Sequence, residues 1–336
     1  MITLQTTSYC NYFCPKCPWH GDNVFSKEYY RKNPELKLKH MPLDMAKNIV
    51  DKIVDYGIKT IGLTPQGEFF LYPQWEQLLE YITKSGVNAS VCSNGSLLNA
   101  ETISKLKNFN IKTLAISIDT LRWEVFRKIR SDNKKLFENT INSLFRLESM
   151  PFRTQINFVE GLDNCGEFDD IFEFYKKARV GLFFKLREIS YEQRISKTSK
   201  NSEFPISICE GFGDYIVAVD GNVLACCYMA NYPKILSNKA QNLKHTTLEK
   251  AINAINDEFI DNRLNGLCYD CPAYRARVIQ KESISINGSY AIMKNRVFET
   301  YVAIPQKLSC LPDDVLIYMF QNNLVAKMKA DKILDY

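Results

Sequence analysis

Eleven cysteines stand in a chain of 336 residues. An odd number, with no export signal ahead of it, favours metal binding or catalysis over a disulfide framework. Cys10, Cys14 and Cys17 crowd the segment Cys10-Asn-Tyr-Phe-Cys14-Pro-Lys-Cys17, while Cys209, Cys226, Cys227, Cys268 and Cys271 form a second group. Thiolates this close on a loop converge on one soft metal centre. Two readings of the first group stand side by side: zinc, with His20 completing a Cys₃His tetrahedron, or a four-iron cluster. Three cysteines without an obvious fourth would leave one iron open to a substrate or cofactor. For the second group, spacing alone also admits a Cys₄ zinc site. Cys92, Cys165 and Cys310 stand apart.

The elements that must position these groups alternate between two periods. Short apolar runs at Ile2–Thr7, Thr60–Thr64, Val87–Ser93, Thr113–Ile118, Thr154–Val159 and Leu182–Arg187 read as strands. Between them apolar residues recur at helical spacing, as at Trp75, Leu78, Leu79 and Ile82, and Asn99 is placed to cap a helix carrying Ile103 and Leu106. Six strands alternating with helices imply an α/β fold, a partial (β/α)6 TIM-type barrel with ligands at the carboxyl ends of its strands. The first cysteine group directly follows the first strand. After residue 190 the pattern shifts to a polar linker, a hairpin turning at Asp220-Gly221, and a helix opened by Thr246-x-x-Glu249, followed by Cys268-x2-Cys271. A further helix is expected at Asp313–Asp331. The balance of 43 Lys and Arg against 38 Asp and Glu is too even to select nucleic acid as a partner. No apolar run is long enough for a transmembrane helix, and the N-terminus lacks the pattern of a signal peptide. A cytoplasmic protein is expected.

On these residues the chain resembles the radical S-adenosylmethionine (radical SAM) superfamily. The Cys10-x3-Cys14-x2-Cys17 loop after the first strand is similar to that family's cluster loop. Gln66-Gly67-Glu68 after the second strand resembles its Gly-Gly-Glu motif, which meets the methionine amine. Ser93-Asn94-Gly95 after the third strand and Ser117-Ile-Asp119 after the fourth resemble positions that bind ribose and carboxylate. Arg130, in Phe126-Arg-Lys-Ile-Arg130, resembles an arginine common on the next helix, and Lys185 or Arg187 is a candidate partner for the SAM carboxylate. The resemblance implies a [4Fe-4S] cluster on Cys10, Cys14 and Cys17. It also implies SAM held by Gly67, Glu68, Ser93, Asn94, Ser117, Asp119, Arg130 and Lys185, and reductive cleavage to a 5′-deoxyadenosyl radical. Two positions depart from the pattern: Lys16 stands where an aromatic residue is common, and Gln66 replaces the first glycine.

The later cysteines resemble the SPASM/twitch extension, which implies a second, auxiliary [4Fe-4S] cluster on Cys209, Cys226, Cys268 and Cys271. The expected organisation is a core barrel over 1–195, a small α+β twitch-like auxiliary domain over 196–280, and a helical tail over 281–336. Cys227, one residue past Cys226, points to the opposite face if the strand continues. It is then either a buried core thiol or a hydrogen-atom donor, as in radical SAM epimerases. Three outcomes follow: epimerisation, cross-linking of a peptide, or two-electron dehydrogenation of a sugar or aminocyclitol. The expected partners are a peptide or small sugar-like substrate and an electron donor such as flavodoxin or ferredoxin. Because the chain starts at the first strand, no preceding peptide-recognition domain is expected. A non-catalytic zinc or iron–sulfur protein is the contrasting class, and it would have no need of the motifs at the strand ends.

Overall fold

The computed structural model describes residues 1–15, 17, 19–21, 27, 30–31, 34, 37, 39–63, 66–146, 150–176, 181–187, 214–226, 242–261, 283–294, 298–304, 306–322 and 324. Strands β1 (Ile2–Leu4), β2 (Thr60–Leu63), β3 (Asn88–Ser93), β4 (Ile111–Ser117), β5 (Arg153–Glu160) and β6 (Leu182–Arg187) lie side by side in chain order. Each is parallel to the next. Helices α1 (Leu43–Asp55), α2 (Trp75–Lys84), α3 (Ala100–Leu106), α4 (Trp123–Ile129), α5 (Lys134–Arg146) and α6 (Phe168–Lys176) fall between them. This is the α/β partial barrel expected from the alternation of patterns.

Side-chain period explains the layering. Along β3, Ala89, Val91 and Ser93 are buried while Asn88, Ser90 and Cys92 are only half-buried, and β5 alternates in the same way. One face therefore meets the helices, and the other lines the inside of the barrel with polar groups. The helices supply matching apolar stripes, Ala46, Ile49, Val50 and Ile53 on α1 and Leu78, Leu79 and Ile82 on α2. Asn99 caps α3 as anticipated, its side chain accepting the Thr102 N–H at 2.9 Å.

Four local departures have physical causes. β1 stops at Leu4 rather than Thr7 because Thr6 and Ser8 pair with the segment 39–41 instead: Met41 N–H donates to Thr6 O and Ser8 N–H to Lys39 O, both at 2.8 Å. The hairpin turning at Asp220-Gly221 forms as read, with Gly221 at φ +93°, between β7 (Ile216–Val217) and β8 (Val223–Leu224). Yet β7 also pairs in parallel with β1, Thr3 opposite Ile216, so the parallel run has seven strands. Helix α7 (Leu248–Asp261) is capped by Thr247, whose Oγ1 accepts the Lys250 N–H at 3.3 Å, and not by Thr246. The fourth departure is the largest.

Instead of an all-helical tail, residues 283–303 form three antiparallel strands: β9 (Ser283–Asn287), β10 (Tyr290–Lys294) and β11 (Phe298–Ala303). β11 runs antiparallel to β6, so the three extend the barrel sheet. Tyr290 and Tyr301 join the main core while Ala291 and Ile304 form a second small core with Leu316. Leu316 lies on α8 (Asp313–Gln321), the described part of the expected terminal helix.

Candidate active site

A cavity of about 390 Å³ opens at the carboxyl ends of β1 to β5. Cys10, Cys14 and Cys17 line it together with Gly67, Glu68, Ser93, Asn94, Ser117, Asp119 and Arg130. Motifs far apart in the chain are thus brought to one place by the strand ends that carry them.

The cysteine loop is held from several sides. Tyr12 turns inward, fully buried, with its ring edge-on to Phe126 of α4 and its hydroxyl 2.5 Å from Thr140 Oγ1 of α5. Asn11 accepts a hydrogen bond from Asn94 Nδ2 at 2.8 Å and donates to Ser96 Oγ at 2.9 Å. Backbone N–H groups aim at two of the sulfurs, Tyr12 at Cys10 Sγ (3.4 Å) and Trp19 at Cys17 Sγ (3.5 Å). Burial pushes the Cys10 thiol up to about 12 and the Cys17 thiol up to about 11, and also raises Cys14 against the pull of Arg130. A metal centre entering here must therefore displace thiol protons.

Glu68 is 2% exposed and fully engaged. Its Oε1 accepts from the Ser93 hydroxyl (2.8 Å) and the Phe70 N–H (3.2 Å), and its Oε2 from the Asn94 N–H (2.7 Å). Burial holds its pKa above the usual carboxylate range, and these three donors only partly offset that rise. Gly67 permits the close approach beneath it: a Cβ there would lie 1.8 Å from the Tyr9 carbonyl oxygen. Arg130 forms an ion pair with Asp119 at 2.5 Å, and its Nη1 lies 3.9 Å from Cys14 Sγ. Burial opposes the charge of Arg130, but Asp119, Cys14 and Tyr12 together more than offset it. Asp119 also accepts the Val159 N–H at 2.8 Å.

The donor set fits a thiolate-held iron–sulfur centre. Three soft ligands share one wall, with N–H groups on their sulfurs and a guanidinium nearby. A Cys₃His site for a single ion fits less well. His20 Nε2–H donates to the Gln66 carbonyl at 3.2 Å, and among the described residues no three His, Cys, Asp or Glu groups are arranged to hold one ion.

Other candidate residues divide between the site, its edge and the undescribed segments. Cys92 lines the cavity, where it accepts from Asn157 Nδ2 (3.6 Å) and lies 4.0 Å from Ser117 Oγ. Lys185 is on β6 opposite Phe158 and Glu299 in register, and its side chain lies outside the described residues. Cys226 is half-buried just past β8. Trp19, two residues after Cys17, packs against Ile216, Ala218 and Leu224 of that same hairpin. Cys209, Cys227, Cys268 and Cys271 lie outside the described residues. Cys165 and Cys310 are exposed.

Sequence reasoning passed over Asn164, whose side chain bonds Asp119 O, Val159 O and the Gly161 N–H and so fixes the loop after β5 at the cavity. Its position just past a strand's carboxyl end was the available signal.

A partial α/β barrel with a three-thiol loop after its first strand, facing a buried glutamate after its second, defines a cofactor-dependent enzyme class rather than a carrier. Residues 4–175 match the Radical SAM superfamily, and the chain belongs to that superfamily, whose members use a [4Fe-4S] cluster and SAM. It is 28% identical over 143 residues to the antilisterial bacteriocin subtilosin biosynthesis protein AlbA of Bacillus subtilis, covering 42% of this chain and 29% of AlbA. It is 27% identical over 177 residues to an AdoMet-dependent heme synthase of Methanosarcina barkeri, covering 53% and 47% of the two chains. The matches thus span less than half the length of either relative. Among solved structures, Streptococcus suis SuiB bound to its precursor peptide SuiA superposes with a TM-score of 0.58 at 13% identity, over 82% of this chain and 70% of SuiB. That likeness speaks for the fold alone.

Proposed function

We infer that this radical SAM enzyme removes a hydrogen atom from an unactivated carbon of a peptide substrate. In this reading Cys10, Cys14 and Cys17 hold the cluster, while Gly67, Glu68, Ser93, Asn94, Ser117 and Asp119 form the SAM cradle. Cluster and SAM together supply the homolytic chemistry when bound. The chain's own residues orient and enclose. Gly67 keeps the backbone open beside the cradle, and Glu68 fixes the Ser93-Asn94 turn through two hydrogen bonds. Asn94 ties that turn to the cysteine loop, and Arg130 places a positive charge behind Cys14.

The likeness to a bacteriocin biosynthesis protein carries the peptide assignment. Among the described lining residues Arg130 is the sole Lys or Arg, and it is paired with Asp119. The rest of the polar lining is amides, hydroxyls, thiols, carboxylates and a histidine whose pKa burial lowers. In this reading that wall is taken up by the cluster and the SAM cradle. The relative named for biosynthesis of an antilisterial bacteriocin agrees with a peptide substrate. An auxiliary [4Fe-4S] cluster on Cys209, Cys226, Cys268 and Cys271 belongs to the same reading. The hairpin that ends at Cys226 is joined to β1 and packed on Trp19, two residues after Cys17. Cys227 is then the candidate hydrogen-atom donor for epimerisation, with cross-linking as the thiol-independent outcome.

Anaerobic reconstitution with iron and sulfide tests both halves. Wild type should hold about eight irons and the Cys10→Ala/Cys14→Ala/Cys17→Ala variant about four. Only wild type should make 5′-deoxyadenosine. Yield should rise with a library of synthetic peptides; a rise with nucleoside triphosphates or sugars and none with peptides would overturn the substrate class.

A further inference from the structure

With the wall of the cavity given over to cluster and SAM, recognition of a substrate falls to the rim. The loop after β5 forms part of that rim, where Gly161, Asp163 and Asn164 line the cavity. It is firmly anchored. The buried Asn164 side chain bonds Asp119 O, Val159 O and the Gly161 N–H, and its own carbonyl accepts the Glu167 N–H at 3.2 Å. Yet the same loop leaves Leu162 96% exposed. Isolated exposed leucines are common on protein surfaces, so the surroundings decide whether this one has a role.

Those surroundings are acidic in a chain of net charge +5. From Thr154 to Tyr175 there is no lysine or arginine, but six acids: Glu160, Asp163, Glu167, Asp169, Asp170 and Glu173. All but one have a local account. Glu167 pairs with Arg122 and Glu173 with Lys176, each at 2.5 Å. Asp169 and Asp170 occupy the first turn of α6, where the helix dipole favours anions. Glu160 stands opposite Arg187 in the register of β5 and β6. Asp163 is left over. It is exposed, it lines the cavity, and its carboxylate makes no ion pair among the described residues. The other charged groups of the site are engaged, Arg130 with Asp119 and Glu68 with its three donors.

We propose that Leu162 and Asp163 select the substrate, a peptide segment in which an apolar side chain lies next to a lysine or arginine. This rests on the peptide reading above and narrows it. An exposed leucine gains free energy only when a partner covers it. An unpaired carboxylate beside it favours a cation and disfavours acidic sequences. Because Asn164 pins the loop in advance, binding has little further chain to order. The pair stands past β5, one strand beyond the last motif assigned to SAM.

Matched synthetic peptides with a central Leu-Lys, Leu-Gln or Leu-Glu pair are the probes, titrated against reconstituted full-length protein by fluorescence anisotropy. At low salt wild type should bind the Leu-Lys peptide about tenfold more tightly than the Leu-Glu peptide, and the preference should shrink as salt rises. Asp163→Lys should reverse that preference. Leu162→Ser should weaken the Leu-Lys and Leu-Glu peptides alike, about fivefold, and keep their ratio. Asp55→Lys, at the end of α1 that leads to the start of β2, makes the same change of charge away from the cavity and should leave the preference as in wild type. Peptides that bind wild type with no charge preference, or a preference that survives in Asp163→Lys, overturn the proposal. So does a loss of SAM affinity in Asp163→Lys that matches its loss of Leu-Lys binding, which would give the carboxylate to the cofactor. Wild type that binds none of the three peptides, and whose 5′-deoxyadenosine yield no peptide library raises, would refute the peptide reading and the proposal with it.

Discussion

Gly67 marks the place where two segments of backbone touch. The carbonyl of Tyr9 accepts the Glu68 N–H at 2.7 Å, and the three atoms nearest to a Cβ at Gly67, all within 3 Å, belong to the Tyr9 main chain. A flexible side chain could swing away; a backbone one residue before Cys10 cannot. Gly67→Ala should therefore displace the start of the cysteine loop and cost about 2 kcal/mol, in the range of overpacked sites. Denaturant midpoints would measure the loss, and iron content after reconstitution should fall with it. A variant as stable and as iron-rich as wild type would show that the loop yields freely. The Gln66-Gly67-Glu68, Ser93-Asn94 and Ser117-x-Asp119 motifs were legible because each follows a strand. What the sequence left hidden is how completely the protein itself engages them. Glu68 and Asp119 already accept hydrogen bonds from Ser93, Asn94, Phe70 and Val159. Those partners come from register and chain path, which no linear spacing reveals.

At the scale of elements, legibility followed local signals. The cap at Asn99 and the turn at Gly221 could be read because one residue type satisfies one backbone need. Asn99 is exposed and makes its bond within its own helix. Asn99→Ala should cost about 1 kcal/mol of stability and leave iron content and SAM binding as in wild type, which separates a cap from a site residue. A change in SAM affinity would mean that α3 positions the Ser93-Asn94 turn. Strand ends were harder to place. β1 gives up Thr6 and Ser8 to the 39–41 segment, a non-local competitor for the same backbone groups. The β9–β10 hairpin carried its own signal in Ser-Ile-Ser-Ile-Asn287-Gly288, with Gly288 at φ +54°. Alternation followed by Asn-Gly is a strong hairpin pattern, and the helical pattern further along obscured it.

Over the whole molecule, one continuous sheet joins parts that composition suggested were separate. β7 and β8 extend it at one edge, and β11, β10 and β9 at the other. An unpaired β6 would present an open edge, a template for aggregation, and the antiparallel strands cover it. Side chains must secure that cover, and Tyr301 is the principal joint. It is 8% exposed, with its ring centroid 4.9 Å from Phe168 and 5.1 Å from Phe172 on α6, where Phe172 also meets Tyr290 at 4.9 Å. Removing a buried aromatic side chain leaves a cavity and costs about 3 kcal/mol, so Tyr301→Ala should lower the denaturant midpoint sharply. Tyr318 on α8 is 60% exposed, and Tyr318→Ala should stay within about 0.5 kcal/mol of wild type. Amide hydrogen exchange gives the sharper reading. In Tyr301→Ala protection should drop over β9 to β11 and spread into β6, because these strands share one ladder. If protection drops over β9 to β11 while β6 keeps its own, the extension opens as an independent unit and the barrel does not depend on it.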